Sequence, residues 1–387
     1  MIAVRGPRQF GKSTWLEQQV AQTIQQFGGG SAFYLNGDLL AGRQQLMDAV
    51  QELLPLYRPG APVRRLFIDE ITAIADWTRG IKALADGGLL REILLVTTGS
   101  KATDLRRGVE RLPGRKGRLD RTTYLFCPIS YTEFLRVCGG ELKDRTLDAY
   151  MLSGGSPVAC AHLAEGGLPE YVIEIVKDWI LGECAASGRS RSSLLALLQC
   201  LYRFGGNPVG QAKIARELGM ANNTVAAGYL ELLADLMVVS PAFAWDLSRG
   251  VAMRRKEAKQ HFSNTLVALA WHPAQLRSVD DWASLPSEMK GPWLEWVVAQ
   301  ELLRRAAIAG DEVPEQRAYW QSREHELDFV LPGEQYLEVK HGRTSPLEFS
   351  WFPKLRPKGR LTVISQSRFD TDRITGITLE DFLRQQP

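Results

Sequence analysis

The sequence is poor in the residues that mark disulfide-rich and zinc-binding proteins. Its 387 residues include five cysteines and five histidines. The cysteines form no CxxC pair and have no metal-binding spacing with the histidines; they are Cys127, Cys138, Cys160, Cys184 and Cys200. Cysteines scattered in this way are usually small buried residues that stay reduced. We therefore expect a cytoplasmic protein without a disulfide framework.

Long apolar runs and a strong net charge are also missing. No run approaches the roughly 18 apolar residues of a membrane span, and the start MIAV lacks the flanks of a signal peptide. The net charge of +3 neither requires nor excludes nucleic acid, because a local basic face fits within a balanced total. With 45% hydrophobic and 24% charged residues, the sequence predicts a globular protein of two or three domains.

What the sequence does contain begins with a phosphate-binding loop pattern. GPRQFGKST, residues 6–14, follows the strand-like MIAVR and leads into the helical KSTWLEQQVAQTIQQF. A loop of this spacing directs backbone amides and the helix dipole at phosphate oxygens. We expect Lys12 to reach the β- and γ-phosphates and Ser13 to ligate Mg²⁺. The predicted nucleotide-binding residues are Gly6, Pro7, Arg8, Gln9, Phe10, Gly11, Lys12, Ser13 and Thr14.

A buried strand that ends in acidic residues follows in RRLFIDEI. Asp69 is expected to hold Mg²⁺ together with Ser13, and Glu70 to polarise the attacking water. A further strand, EILLVTTGS, ends in hydroxyls, and either Thr98 or Ser100 is placed to sense the γ-phosphate. With SAFYLNGD, these segments predict at least four parallel strands that alternate with helices, a doubly wound α/β domain.

Two more motifs, LPGR at 112–115 and PISYTEFL at 128–135, complete a family pattern. Together with GPRQFGKSTWL, IDEI and TTGS, they resemble the prokaryotic AAA-type P-loop ATPases that carry a C-terminal restriction-endonuclease-like domain. The resemblance implies ATP and Mg²⁺ as cofactors and a homo-oligomer. It also implies an arginine finger, for which Arg115 is the candidate and Arg118 or Arg121 the substitutes. The alternative for this basic stretch is a solvated loop that contacts nucleic acid.

The middle of the chain predicts a helix-turn-helix. In GQAKIARELGMANNTVAAGYLELLADLMVV, residues 210–239, Gly219 ends one helical pattern and Asn222 opens the next. DNA is the expected partner, contacted through the second helix or through the basic run RRKEAKQ at 254–260. The small residues of the second helix, Ala226 to Gly228, are equally suited to packing on a neighbouring domain.

The last hundred residues predict a second site. HELDFVL and QYLEVKHG read as two strands of a hairpin that brings together Asp328, Glu338 and Lys340. This is the pattern of the PD-(D/E)xK nucleases, in which two carboxylates hold Mg²⁺ or Mn²⁺ and the lysine orients or deprotonates a water. A preceding helix supplies a third acid. Glu295 and Glu301 are six residues apart, so both cannot face one metal, and the resemblance favours Glu295.

The predicted architecture is a multidomain α/β protein. It has a P-loop ATPase core over 1–135, a helical lid over 136–190, a winged helix over 191–250 and a nuclease-like α/β domain over 251–387. The predicted function is a Mg²⁺-dependent ATPase that acts on DNA and possesses a nuclease-like end. Two alternatives stay open: a nucleotide-switched scaffold with an inert nuclease-like domain, and a signalling ATPase whose C-terminal half recognises a partner.

Overall fold

A computed structural model describes residues 1–8, 10–99, 105, 108, 119–311 and 317–385. The predicted residues Gln9, Ser100, Arg115 and Arg118 lie outside this set. The chain forms two compact units, Met1–Cys127 and Pro128–Pro387. The first unit therefore ends ahead of residue 135, where the sequence analysis placed the end of the ATPase core.

The first unit contains a sheet of five parallel strands in the order β2-β3-β4-β1-β5. The strands are β1 (Ile2–Arg5), β2 (Ala32–Asn36), β3 (Arg65–Asp69), β4 (Leu94–Gly99) and β5 (Thr123–Leu125). Over residues 1–99, the helices are α1 (Lys12–Phe27), α2 (Arg43–Leu53) and α3 (Trp77–Asp86), with short 3-10 helices at Gly37–Leu39, Leu54–Leu56 and Ile71–Ala73. The predicted parallel α/β sheet is confirmed.

The order of the strands decides what meets at the edge of this sheet. Because β4 lies between β1 and β3, the carboxyl ends of these three strands are neighbours. The phosphate-binding loop follows β1, Asp69 ends β3, and Thr98 lies near the end of β4. Ligands of open α/β sheets bind at this edge, so the sheet brings the predicted residues to the expected place.

Amphipathic helices cover the sheet. Trp77, Ile81 and Leu84 of α3 are spaced by one turn and are buried with Leu46 and Val50 of α2. This spacing places the apolar side chains of each helix on one face, which packs against β3 and its neighbours. The core of the unit thus fixes the strand whose last residue is Asp69.

The second unit begins with helices. They are α4 (Tyr131–Leu142), α5 (Thr146–Ser153), α6 (Pro157–Ala164), α7 (Glu170–Ala186) and α8 (Arg191–Arg203), with a 3-10 turn at Lys143–Arg145. Ser130 and Ser190 cap α4 and α8 by accepting hydrogen bonds from the amides of Glu133 and Ser193. The segment predicted as a helical lid is therefore largely helical.

The predicted helix-turn-helix segment contains α9 (Gln211–Glu217) and α10 (Asn223–Asp235). The Asn222 side chain caps α10 by accepting the amide of Val225 at 3.0 Å. A long antiparallel hairpin follows, β6 (Val239–Asp246) and β7 (Val251–Phe262). The predicted domain boundary at 250 falls in the turn of this hairpin, and β7 continues well beyond it.

The hairpin is part of a larger sheet, and a third sheet completes the unit. The four-stranded sheet has the order β7-β6-β8-β9, with β8 (Arg317–Gln321) and β9 (Glu326–Leu327). The five-stranded sheet has the order β10-β11-β12-β14-β13, with β10 (Phe329–Leu331), β11 (Gln335–Val339), β12 (Arg360–Ile364), β13 (Phe369–Asp370) and β14 (Ile374–Ile377). The predicted hairpin of residues 325–342 is present, with Phe329 opposite Leu337.

The remaining helices are α11 (Thr265–Ala270), α12 (Val279–Ala283), α13 (Ser287–Ala309), α14 (Phe352–Leu355) and α15 (Leu379–Arg384), with a 3-10 turn at Pro346–Phe349. The long helix α13 buries Trp293 and Trp296, and it carries Glu295 between them. Within the described part of the chain, we find no helix with the length and apolar character needed to cross a membrane.

Candidate functional site

The phosphate-binding loop closes around its own lysine. Lys12 is the first residue of α1 and is 5% exposed. Its Nζ donates to the carbonyl oxygens of Gly6 at 3.0 Å and Pro7 at 2.8 Å. Gly11, which precedes the helix, has a φ of 90°, a left-handed conformation that favours glycine. The loop is thus curved so that the ammonium lies inside the turn.

Burial changes the acid–base behaviour of this lysine. Removal from water lowers the pKa of Lys12 to about 8, an effect that the carboxylates of Glu70 and Asp69 oppose. A bound polyphosphate would bring further negative charge and raise this pKa. Phosphate binding and protonation of Lys12 are therefore linked.

The carboxylate of Asp69 is buried and held from two sides. The Tyr34 hydroxyl on β2 donates to Asp69 Oδ2 at 3.2 Å, and the Thr98 hydroxyl on β4 donates to Oδ1. Burial and the neighbouring Asp69 raise the pKa of Tyr34 to about 12, so Tyr34 remains a donor. Tyr34, in the middle of β2, is not among the residues predicted from the sequence, because its contact with Asp69 depends on β2 lying beside β3.

Glu70 follows directly and is half-buried. Its φ of 45° is uncommon for a residue other than glycine, and such conformations often occur at active sites. Its amide donates to Thr98 Oγ1 at 3.0 Å, so one hydroxyl fixes both the last residue of β3 and the residue after it.

These groups fit a complex of Mg²⁺ and a nucleotide. Ser13 is exposed in the first turn of α1, where helix amides have no partner within the helix. A hydroxyl and a carboxylate are the kind of oxygen ligands that Mg²⁺ takes beside substrate phosphates. Of the other predicted loop residues, Arg8 and Thr14 are exposed, and Phe10 is buried.

The second unit brings its predicted acids together. Asp328, Glu338 and Glu295 are 5%, 2% and 7% exposed. Asp328 Oδ2 accepts the amide of Val339 at 2.8 Å, and Glu338 Oε2 accepts the amide of Asp328 at 3.2 Å. Lys340 Nζ lies 2.5 Å from Glu338 Oε1. The hairpin thus produces the predicted arrangement of acid, acid and lysine.

A residue that the sequence analysis assigned to an exposed basic run lies at the centre of this cluster. Lys259 on β7 is 1% exposed. Its Nζ is 2.6 Å from Asp328 Oδ1, 2.6 Å from Glu326 Oε1 and 3.1 Å from Glu295 Oε1. The exposed part of the run is Arg254 to Glu257. The local sequence does not distinguish Lys259 from these neighbours, because its partners Glu295 and Asp328 are distant along the chain.

His261 joins the cluster from the same strand, where its Nε2 lies 2.7 Å from Glu295 Oε1. Burial alone would lower the pKa of Lys259, but the carboxylates of Asp328, Glu295 and Glu326 raise it well above its usual value. Burial opposes the charge of Glu295 as well, yet Lys259 and His261 hold its pKa below the usual value. The ammonium and the Glu295 carboxylate are therefore both charged.

The side chains of this cluster, unlike those of the first unit, do not fit a divalent metal. Both oxygens of Asp328 and both of Glu338 already face protein donors, namely Lys259, Val339, Lys340 and the Asp328 amide. Among the residues that the structure describes, no group of three or more His, Cys, Asp or Glu side chains is arranged to hold a metal ion. Burial and the nearby Asp328 raise the pKa of Glu338 well above its usual value.

The two glutamates of α13 have different surroundings. Glu295 faces the cluster, whereas Glu301 pairs with Arg304 at 2.8 Å and Arg305 at 2.7 Å. Both carboxylates are buried, but the six-residue spacing turns them to different neighbours, as the helical geometry predicted.

The candidate nucleic-acid face of this unit consists of exposed polar residues. Lys213 and Arg216 are exposed on α9, and Asn223 and Thr224 are exposed in the first turn of α10, whereas Ala226 is buried. On the hairpin, the side chains beside the turn line a groove of about 730 Å³. Residues of this groove include Arg255, Lys256, Trp245, Tyr319 and Trp320.

Comparison with known proteins supports part of this description. Residues 1–135 match the family model described as AAA domain. The chain is 24% identical over 315 residues to the uncharacterized protein MJ1544 of Methanocaldococcus jannaschii, with 74% of this chain and 63% of the relative covered. The chain thus spans less than two thirds of that relative's length.

Solved structures show more distant likenesses. RuvB of Thermotoga maritima superposes with a TM-score of 0.36 at 16% identity, over 67% of this chain and 83% of RuvB. ORC1 of Aeropyrum pernix, solved in complex with DNA, superposes with a TM-score of 0.34 at 13% identity, over 70% of this chain and 85% of ORC1. Likenesses this weak carry no functional argument. The match over residues 1–135 and the geometry of the loop agree that the N-terminal unit is similar to AAA-type P-loop domains.

Proposed function

We propose that this chain is a Mg²⁺-dependent ATPase. The observation that carries the proposal is the contact between Thr98 and the buried carboxylate of Asp69, beside a loop that encloses Lys12. The match of residues 1–135 to AAA domains supports it. The loop and Asp69 lie at the same edge of the sheet, at the ends of β1 and β3, with Thr98 on β4 between them.

In this proposal, each residue has a separate task. The backbone N–H groups of the loop from Arg8 to Thr14 and the Lys12 ammonium bind the phosphates, and Ser13 and Asp69 hold the metal ion. Bound Mg²⁺ neutralises charge on the phosphate oxygens. Glu70 orients the attacking water, and Thr98 holds both acids in position. Ser100, outside the described residues, remains a candidate contact of the γ-phosphate.

We propose further that the active form is a homo-oligomer in which an arginine completes the neighbouring site. Arg115 is the candidate. Arg121, a substitute, has its Nε bonded to Thr123 O at 3.1 Å, and its guanidinium lies 4.5 Å from the Tyr124 ring centre. These contacts within its own unit make it the weaker candidate.

We propose that DNA contacts the exposed residues of α10 and of β7. The cations Arg255 and Lys256 are suited to phosphates, and Asn223 to a base edge. The alternative is that the same face recognises a protein partner. In that case, we expect the binding of DNA to be absent and the binding of the protein to depend little on salt. A salt titration of DNA binding therefore separates the two.

DNA cleavage is a second candidate function, favoured by the convergence of Asp328, Glu338 and Lys340. The position of Lys259 counts against it. The test is incubation of plasmid DNA with the full chain and Mg²⁺ or Mn²⁺. Nicking that Asp328→Ala abolishes would establish cleavage, whereas DNA that stays intact leaves the binding role.

The ATPase proposal is tested by turnover of ATP with and without DNA. Lys12→Ala should abolish hydrolysis and weaken nucleotide binding, and Glu70→Gln should abolish hydrolysis while nucleotide binding is retained. Lys82→Ala, which removes an exposed lysine of α3, is the matched control and should behave like the parent chain. A purified chain that retains no adenine nucleotide at millimolar Mg²⁺ would refute the proposal.

The shared site is tested separately. Turnover per chain should fall on dilution, and Arg115→Ala should reduce it by about 1,000-fold or more, the scale of an arginine finger. Turnover that is unchanged by both would show that each chain hydrolyses ATP on its own.

A further inference from the structure

The acidic cluster of the second unit already contains a cation. Three carboxylates surround the Lys259 ammonium at 2.6 to 3.1 Å, and the side chain is 1% exposed. The ammonium donates hydrogen bonds to Asp328 Oδ1 and Glu295 Oε1, and Glu326 adds a third negative charge as an ion-pair partner. Burial of a charge is energetically costly unless the charge is paired with opposite charges in this manner.

The backbone holds this lysine in place. Lys259 is paired with Ala242 in the β6–β7 ladder, and its neighbour Ala258 forms a bridge with Val209. Its ammonium also lies 5.7 Å from the ring centre of Tyr319. The strand pairing therefore fixes the backbone from which the Lys259 side chain reaches the acids.

We propose that the Lys259 ammonium takes the place of a divalent metal, so that the nuclease-like centre is a metal-free ion-pair cluster that does not cleave DNA. Two of the acids that would bind Mg²⁺ in a cutting enzyme, Asp328 and Glu295, serve instead as partners of an internal lysine. This assignment is independent of the proposed ATPase activity, because it concerns only residues of the second unit.

Lys340 provides the contrast. It contacts Glu338 Oε1 at 2.5 Å, but its side chain is 45% exposed. It lies at the rim of the cluster, as a water-orienting lysine would. Removal of Lys340 therefore leaves the internal cation in place, and Lys340→Met is the matched control for Lys259→Met.

The experiment uses the full chain carrying Asp69→Asn, which removes the expected metal ligand of the first unit. Mn²⁺ binding is measured by electron paramagnetic resonance, and thermal unfolding is followed with and without millimolar Mn²⁺. We expect this parent chain and Lys340→Met to bind no Mn²⁺ at the cluster and to show no shift of the unfolding temperature with Mn²⁺.

Lys259→Met should lower the unfolding temperature by on the order of 10 °C, because it leaves buried carboxylates without their cation. Mn²⁺ should then restore much of the loss and bind at one site per chain. A second substitution, Asp328→Asn, should abolish this binding. Lys259→Arg keeps the charge and should remain free of metal.

The parent chain keeps the proposal falsifiable even if Lys259→Met does not fold. One Mn²⁺ bound by the parent chain and lost on Asp328→Asn would overturn the proposal. A folded Lys259→Met chain that has unchanged stability and no Mn²⁺ site would overturn it too. Because every variant carries Asp69→Asn, these results are separate from any failure of the ATPase proposal.

Discussion

The hydroxyl of Thr98 bonds to two successive residues of the neighbouring strand end. It donates to the carboxylate of Asp69 and accepts the amide of Glu70 at 3.0 Å. Thr98 is fully buried, so water cannot replace it in either bond. One side chain of β4 therefore positions both acids that the proposed hydrolysis requires.

Thr98→Val should lower kcat for ATP about 10-fold or more and change nucleotide affinity much less. A hydrogen bond to a charged group contributes roughly 1.5–3 kcal/mol, and its loss frees the carboxylate that holds the metal. Thr97→Val is the matched control, since Thr97 is equally buried but its hydroxyl lies 3.4 Å from the Ile2 carbonyl oxygen. Equal losses in both variants would contradict the assignment.

Nucleotide affinity should depend on pH through Lys12. Its pKa in the folded chain is about 8, so binding of an ATP analogue should be constant below this value. Above it, Kd should rise by up to about tenfold per pH unit, because the neutral amine must gain a proton to bind phosphate. Isothermal titration from about pH 7 to 9.5 measures this, and Lys12→Met should bind weakly without the inflection.

The same pKa predicts the sign of a stability change without nucleotide. Between about 8 and the ordinary 10.5, the unfolded chain holds a proton on Lys12 that the folded chain has lost. The free energy of unfolding should therefore rise with pH across this window, by about 3 kcal/mol from this group. Denaturant titrations of the parent and Lys12→Met chains at both ends of the window test it. A contribution that falls with pH would contradict the depressed pKa.

The hairpin should contribute to DNA affinity through charge. Lys256→Gln is expected to weaken binding to a DNA duplex and to reduce the slope of log K against log salt by about 1. Lys358→Gln removes another exposed lysine of the second unit and is the control. Fluorescence anisotropy at several salt concentrations gives both quantities. Identical slopes for the two variants would remove Lys256 from the proposed DNA face.

Gly154 should be sensitive to substitution for a steric reason. Its φ is 57°, and a Cβ there would clash with Asn264 Oδ1 and lie 2.6 Å from the Leu266 amide nitrogen. Gly154→Ala should therefore cost about 3 kcal/mol of unfolding free energy, as strain plus overpacking. The side chain of Asn264 also donates to Gly154 O, so the clash would disturb a hydrogen bond.

Gly188→Ala isolates the backbone part of this cost. Gly188 has a similar φ of 67°, but among the described residues its Cβ would meet no atom within 4 Å. We expect this variant to lose only about 1 kcal/mol. Urea denaturation compares the two, and equal losses would show that the contact with Asn264 is unimportant.

Local sequence was sufficient to predict the elements whose residues are close along the chain. The strand, loop and helix around Lys12 were predictable because the glycines, the lysine and the helical pattern are close together in the sequence. The hairpin that carries Asp328 and Glu338 was predictable in the same way, from alternating side chains and a glycine turn.

Contacts between distant segments were not predictable. Thr98 contacts Asp69 and Glu70 because β4 lies next to β3 in the sheet. The order of strands in a sheet cannot be predicted from the local sequence. Tyr34 reaches Asp69 for the same reason, since β2 is the neighbour of β3.

Lys259 shows the difference most clearly. As one lysine in RRKEAKQ, it has the composition of a solvated basic run, and sequence alone determined only that it carries charge. The tertiary structure decided that this charge is buried, because β7 pairs with β6 and passes α13 and the acidic hairpin. Electrostatic energy depends on distance in space and on exclusion of water, and neither can be read from positions in a sequence.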